Sequence, residues 1–406
     1  MPSSTRPRLT VVGLGADGWP GVPEDTRRLV LEAPVVLGGA RHLALLPAVP
    51  GQERTPWPSP LRDGLPALLE RYAGREVVAL ASGDPLVSGI GSTLVGLLGA
   101  DVVRVLPAVS SVALARARMG WPAETAEVVS VVGRDAHAVL RALSPGHRVL
   151  VLSSDASTPA EVAGLLDAAG YGESALTVLG DLGSAAESRR DGLARSWSGD
   201  APALNVVALT LIGPVVGPRS GGLPDEAFEH DGQLTKRDLR ASALARLAAQ
   251  PGQLLWDVGA GAGSVGIEWL RAHPTCAAVA VEGDAARAER IRGNAARLGV
   301  PGLRVVHGRA PEALVGLPLP DAVFVGGGAT VTGVVASCLD SLRPGGRLVV
   351  HGVTLETEAL LGRLHAERGG ELSRLHVEHA GAIGSFTGWT PTRAVTQWAW
   401  TKEKTA

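Results

Sequence analysis

Short apolar runs alternate with helical patterns along most of this chain. In the first half, Leu9–Leu14, Val77–Ala81, Val102–Val105, Val128–Val132, Val149–Leu152, Leu176–Leu179 and Asn205–Leu211 are rich in Val and Leu and are bounded by Gly, Pro, Asp or Ser. Runs of that length and composition predict buried strands. Amphipathic stretches such as Thr26–Ala33 and Pro159–Ala169 predict helices between them. From Gly213 the periodicity stops, and Gly213-Pro214-Val215-Val216-Gly217-Pro218-Arg219-Ser220-Gly221-Gly222-Leu223-Pro224 reads as a linker. The alternation then restarts with a helix over Lys236–Ala249 and strands at Leu254–Val258, Ala277–Glu282, Leu303–His307, Ala322–Val325 and Arg347–His351. The expected organisation is two α/β domains, residues 1–212 and 229–406, joined by a linker over 213–228.

The sharpest local signal is Leu254-Leu255-Trp256-Asp257-Val258-Gly259-Ala260-Gly261-Ala262-Gly263-Ser264-Val265-Gly266. An apolar strand ends in an acid, three glycines follow at alternate positions, and a helix begins. Glycine permits sharp turns and close approach of a ligand, and a helix start presents free N–H groups to an anion. Gly261, Gly263 and Gly266 satisfy the dinucleotide pattern G-x-G-x-x-G, so NAD is one reading. Asp257 two residues before the first glycine, Glu282 at the end of the next strand, and the late Leu342-Arg343-Pro344-Gly345-Gly346-Arg347 turn favour S-adenosyl-L-methionine. A purely structural glycine turn is the third reading.

Other positions have both a functional and a plain reading. Thr235 is expected to cap the helix that follows, with Asp238 completing a capping box, or to face the cofactor as well. Ala310, in Gly308-Arg309-Ala310-Pro311, either offers backbone to an adenine or belongs to a Pro-opened helix start. Gly326-Gly327-Gly328 ends a strand where base-modifying methyltransferases carry an Asn/Asp-Pro-Pro-aromatic box; it either makes room for a bulky substrate or is a plain turn.

Composition narrows the class. Of 406 residues, 45% are hydrophobic and 19% charged, with a net charge of −2, which gives no electrostatic case for nucleic acid. No run reaches the ~18 apolar residues of a membrane span, and Met1–Arg8 does not lead into a signal peptide. A cytoplasmic protein is expected, without nucleic-acid or membrane partners, and as a homo-oligomer. Cys276 and Cys338 sit in apolar contexts and read as small core residues. No Cys/His spacing suggests a metal.

The motifs of the second half, from Gln233-Leu234-Thr235-Lys236 through the glycine turn, Glu282, Ala310-Pro311-Glu312-Ala313-Leu314 and Gly326-Gly327-Gly328, resemble the decarboxylating C15-methyltransferase domain of cobalamin biosynthesis. That resemblance implies cofactor contacts at Thr235, Gly259, Ala260, Gly261, Ala262, Gly263, Glu282 and Ala310. In the first half, Val11-Val12-Gly13-Leu14-Gly15-Ala16-Asp17-Gly18, Ala81-Ser82-Gly83-Asp84-Pro85-Leu86-Val87 and Pro107-Ala108-Val109-Ser110-Ser111 resemble the tetrapyrrole methylase family. Val36-Leu37-Gly38-Gly39-Ala40-Arg41-His42-Leu43 resembles its C5-methyltransferase branch. Here the implied cofactor residues are Ser82, Gly83, Asp84, Val87, Ser110 and Ser111. Gly15-Ala16-Asp17 departs from the Gly-Pro-Gly-Asp of many relatives, and Gly39 stands where some relatives place an acidic proton acceptor.

Together the resemblances imply a two-lobed tetrapyrrole methylase fold followed by a class I Rossmann-like methyltransferase domain. They imply a bifunctional enzyme converting precorrin-6B (6Y) to precorrin-8X, with methylation at C5 and C15 and loss of the C12 acetate carboxyl. No catalytic residue is assigned. His230, Glu229 and His351 are candidates for proton handling, and Arg116, Arg118, Arg134, Lys236, Arg237 and Arg240 for anchoring substrate carboxylates, against the plainer reading of solvated or structural side chains. The alternatives are an RNA or protein methyltransferase fused to an unrelated α/β domain, and a non-catalytic tetrapyrrole or cofactor sensor.

Overall fold

The computed structural model describes residues 8–215 and 221–403. The start of the chain through residue 7, and residues 216–220 within the expected linker, lie outside the described residues. The chain divides into two compact units, Met1–Pro214 and Val215–Ala406.

The first unit contains two sheets. Strands β1 (Arg8–Leu14), β2 (Val35–Gly38), β3 (Glu53–Pro56), β4 (Glu76–Ser82) and β5 (Val103–Leu106) form a parallel sheet in the order β3-β2-β4-β1-β5. Both faces are covered, so β2 and the centre of β4 are apolar throughout rather than alternating. The second sheet takes β6 (Glu127–Ser130), β7 (Arg148–Leu152), β8 (Ala175–Gly180), β9 (Ser188–Leu193) and β10 (Asn205–Thr210) in the order β6-β7-β10-β8-β9, parallel only between β6 and β7. This is the two-lobed architecture the resemblance implied.

The second unit is built on β11 (Leu254–Val258), β12 (Ala277–Glu282), β13 (Arg304–His307), β14 (Ala322–Val325), β15 (Arg347–Gly352), β16 (Glu371–Leu375), a hairpin of β17 (Glu378–Ile383) and β18 (Phe386–Pro391), and β19 (Val395–Thr401). Its seven-stranded sheet runs β13-β12-β11-β14-β15-β19-β16, with β19 antiparallel to both neighbours. The chain moves outward from β11 to β13, then returns to β14. Between β11 and β14 the order reverses, and open α/β sheets bind ligands outside the carboxyl ends of strands at such a switch. Large apolar side chains fill both faces, Trp269 and Phe324 on one and Trp256 and Trp398 on the other.

Every strand and helix expected above is present, shifted by at most two residues at an end. The sequence pattern missed β2, β3, β9 and the last four strands. β3 and β9 carry Glu, Arg, Ser and Asp, and β17 and β18 are largely exposed, so they lack the apolar run that marks a buried strand.

Part of the stretch read as linker is packed. Leu223 and Phe228 are buried in the core of the second unit. Glu268 accepts hydrogen bonds from the Gly222 and Leu223 amides and pairs with Arg240 at 2.6 Å, and neither charged side chain is more than 2% exposed. Arg240 also donates to the Leu223 and Thr235 carbonyls and lies 4.7 Å from the Phe228 ring. Arg240 is therefore a structural clamp and not available as a substrate anchor. Removing one partner of a buried pair of this kind costs about 3–5 kcal/mol.

Candidate functional sites

In the second unit the turn Gly259–Gly263 follows β11. Gly259, Gly261 and Gly263 all have positive φ, of 68°, 59° and 76°. A Cβ at Gly259 would lie 2.8 Å from the Gly327 carbonyl oxygen, and one at Gly261 would lie 2.7 Å from that of Gln233. The turn is thus pressed between the end of β14 and the segment before the first helix. Gly326 closes the same junction: its amide donates to the Val258 carbonyl at 2.9 Å, and a Cβ there would strike Phe324. Close backbone approach accounts for Gly259 and the Phe324 ring for Gly326, whereas a Cβ on Gly327 would meet nothing within 4 Å.

Two carboxylates hold this turn. Glu282 accepts from the Gly261 amide at 2.8 Å through one oxygen and from the Asp284 amide at 3.0 Å through the other. Asp257 Oδ2 accepts from the Gly266 amide at 2.8 Å, while its buried Oδ1 has no partner. Burial without full pairing pushes the Asp257 carboxyl up to about 7, with the nearby Glu282 charge adding to the shift. The Gly308 amide donates to the Glu282 carbonyl at 2.9 Å, which brings the Gly308–Ala310 loop beside Glu282. The segment before the first helix is pinned by Asn294, which bonds both the amide and the carbonyl of Glu229 at 2.9 Å, and by Asp231, which pairs with Arg287 and Arg290.

The helix after Thr235 spans Arg237–Leu247, and its cap is Lys236 with no side-chain cap bond. The expectation that Thr235 caps this helix therefore fails by one position. His230 and Glu229 are exposed on the pinned segment. His351 ends deep in the sheet: the residue is 8% exposed, its Nε2 lies 2.9 Å from Gln397 Oε1, and it meets Phe324 edge-on at 5.0 Å. Burial pulls its imidazole down to about 4, so it is neutral near pH 7. Cys276 and Cys338 are free and buried, as small core residues.

In the first unit a cavity of about 410 Å³ lies between the two sheets. Ser82, Gly83, Asp84, Val87, Ser110 and Ser111 all line it. Strands β4, β1 and β5 are adjacent, so the loops at their carboxyl ends meet. The Gly83 amide donates to the Leu14 carbonyl at 2.7 Å, and the Ala108 amide donates to the Gly83 carbonyl at 3.3 Å. A Cβ on Gly13 would lie 2.0 Å from the Gly83 oxygen, so this junction admits only glycine. Ser110 caps the helix Ser111–Met119 by accepting from the Ala113 amide at 3.1 Å. The other sheet contributes Ser153, Asp181 and Asn205.

Arg116, Arg118 and Arg134 are not among the residues lining the cavity. Arg118 is held by Glu187 through two hydrogen bonds, of 2.5 and 3.0 Å. The cavity's cation is instead Arg41, next to His42. Both stand just after β2, whose pairing with β4 puts them beside Ser82. Sequence alone gives these two residues no role, since their partner lies forty residues away.

Two family models match the chain: tetrapyrrole (corrin/porphyrin) methylases over residues 8–196 and the precorrin methyltransferase domain over residues 226–402. The chain is 47% identical over 405 residues to a precorrin-6Y C(5,15)-methyltransferase [decarboxylating] of Sinorhizobium sp, with 99% of this chain and 98% of that protein covered. It is 46% identical over 398 residues to the protein of the same name in Mycobacterium tuberculosis, covering 97% of this chain and 100% of that one. Among solved structures it is similar to the C-terminal domain of the Rhodobacter capsulatus precorrin-6Y C5,15-methyltransferase, at 43% identity and a TM-score of 0.44, over 46% of this chain and 100% of that domain. The first unit is therefore not an unrelated α/β domain, and the chain belongs to the family of decarboxylating precorrin-6Y C(5,15)-methyltransferases.

Proposed function

We propose that this chain methylates a precorrin at C5 and C15 and removes the C12 acetate carboxyl, one methylation being assigned to each unit. The observation that carries this reading is the correspondence along 99% of the chain to a relative named for both methylations and the decarboxylation. The cofactor proposed for both sites is S-adenosyl-L-methionine, which supplies a sulfonium-activated methyl group. In the second unit the support is the turn of three positive-φ glycines at the carboxyl end of β11, beside the point where the strand order reverses. Each Glu282 oxygen accepts one backbone bond and retains a lone pair for a ribose hydroxyl. Thr235, Gly259, Ala260, Gly261, Ala262, Gly263, Glu282 and Ala310 are the proposed contacts there. In the first unit Ser82, Gly83, Asp84, Val87, Ser110 and Ser111 are proposed to hold the second cofactor molecule.

Carbon methylation at a ring position needs the nucleophilic carbon in line and at short range, so positioning contributes much of the rate. Loss of carbon dioxide leaves an electron pair that the conjugated imines of the macrocycle accept, and the former acetate carbon then takes a proton. Burial makes His351 a weak base, so it is not proposed to handle this proton, and exposed Glu229 and His230 remain the candidates. A cytoplasmic homo-oligomer without nucleic-acid or membrane partners completes the proposal. Among the described residues no helix is long and apolar enough to cross a membrane. The test is to incubate the full chain with precorrin-6Y and methyl-labelled donor. Two labelled methyls and one carbon dioxide per macrocycle are expected; a single methyl, or two without carbon dioxide, would refute the reading.

A further inference from the structure

The cavity of the first unit holds a cluster in which Ser82, one of the proposed cofactor contacts, meets two residues that those contacts do not include, Arg41 and His42. Ser82 Oγ lies 3.1 Å from His42 Nε2, and Arg41 Nη2 lies 3.3 Å from both. The donors and acceptors sort in one way. Arg41 is donor only, so the Ser82 oxygen accepts from it, and the Ser82 hydroxyl donates to a His42 Nε2 that bears no proton. Burial, helped by the Arg41 charge, pulls His42 down to about 4, in keeping with that neutral tautomer. The titratable groups lining the cavity with Arg41 and His42 are Asp84 and Asp181, and Arg41 forms no ion pair with either among the described residues. Among the described residues only Nη2 of its guanidinium is engaged, which leaves most of a planar fork available. In this chain the other arginines considered as anchors near this unit's cavity lie off its lining, whereas Arg41 lies on it.

We infer that Arg41 is the anchor for a peripheral carboxylate of the macrocycle in the first unit, with Ser82 and neutral His42 acting as positioning residues that aim its fork. This rests on the reading that the first unit methylates a precorrin. A carboxylate matches the guanidinium in shape and charge and takes two parallel hydrogen bonds. A neutral imidazole keeps the cluster at a single positive charge while accepting the hydrogen bond that orients Ser82. The methyl donor also carries a carboxylate, so the shared chemistry is carboxylate binding and the experiment must separate its two sources.

The test uses the full chain, with C5 and C15 methylation followed separately and donor affinity measured by titration with S-adenosylhomocysteine. Arg41→Gln is expected to raise KM for the macrocycle in the C5 step about tenfold or more, the loss of a charge-assisted pair. Donor affinity and C15 methylation should not change. Arg41→Lys should fall between, since it keeps charge but loses the fork. His42→Ala should raise the same KM by a smaller factor with kcat little changed, and His42→Gln, which retains an acceptor, should restore it. An unchanged KM in Arg41→Gln with donor binding intact would overturn the inference. So would loss of donor affinity at constant KM, which would assign the carboxylate to the donor. Absence of C5 methylation in the parent chain would refute the functional reading itself, and is seen before any variant is compared.

Discussion

The two units solve one problem in different ways. In the second, a single strand-turn-helix supplies most of the proposed site: Asp257, the glycines at 259, 261 and 263, and the Gly266 amide all fall within ten residues, and Glu282 closes the turn from the next strand. In the first, nothing so continuous exists. The cavity is assembled from segments after all five parallel strands and from a second sheet, and residues 15, 42, 57, 82, 110, 153 and 205 come together only in the fold. Yet both depend on one device, a glycine where strand ends touch backbone to backbone. Gly13 against Gly83 is the counterpart of Gly259 against Gly327.

That pairing can be broken one side at a time. Gly13→Ala forces a carbon to within 2.0 Å of a carbonyl oxygen, and Gly259→Ala forces one to within 2.8 Å at a φ of 68°. Each should cost its own unit ~1–3 kcal/mol or more of overpacking and strain. Gly13→Ala is expected to abolish C5 methylation and spare C15 methylation and decarboxylation, with Gly259→Ala doing the reverse. Separate assay of the three products checks this, and loss of all three in either variant would mean that the sites are not independent.

A smaller effect distinguishes the carboxylates. Asp257 has a folded value of about 7 against an ordinary 3.8, so its contribution to stability is fully present below pH ~4 and is lost as pH rises to about 7. His42 and His351, lowered to about 4, act in the opposite sense: their contribution is present above pH ~6.5 and is lost as pH falls towards 4. Asp257→Asn removes only the first. Its unfolding free energy should therefore climb more steeply from pH 5 to pH 7 than that of the parent chain, by an amount on the order of a few kcal/mol at most. An unaltered slope in thermal melts would show that Asp257 is ionised in the fold.

The same contrast explains what could be read in the sequence. The turn proposed as the second site was legible because its pattern is local: an acid, a spaced run of glycines and an acid one strand later. The architecture of the first unit came from a family resemblance and not from periodicity, because β3 and β9 are polar edge strands. Arg41 and His42 could not be given a role without knowing that β2 pairs with β4. Arg240 and part of the Gly/Pro stretch were misread for a related reason, since Glu268 orders Gly222 and Leu223 through contacts more than forty residues away. Thr235 shows a finer limit, with the cap displaced by one residue to Lys236.

Counting donor sites on the intact chain tests the account most directly. Titration calorimetry with S-adenosylhomocysteine should give two sites per chain, and Glu282→Ala should weaken one of them by ~1–3 kcal/mol while leaving the other unchanged. One site per chain in the parent protein, or two sites that both weaken in Glu282→Ala, would contradict it.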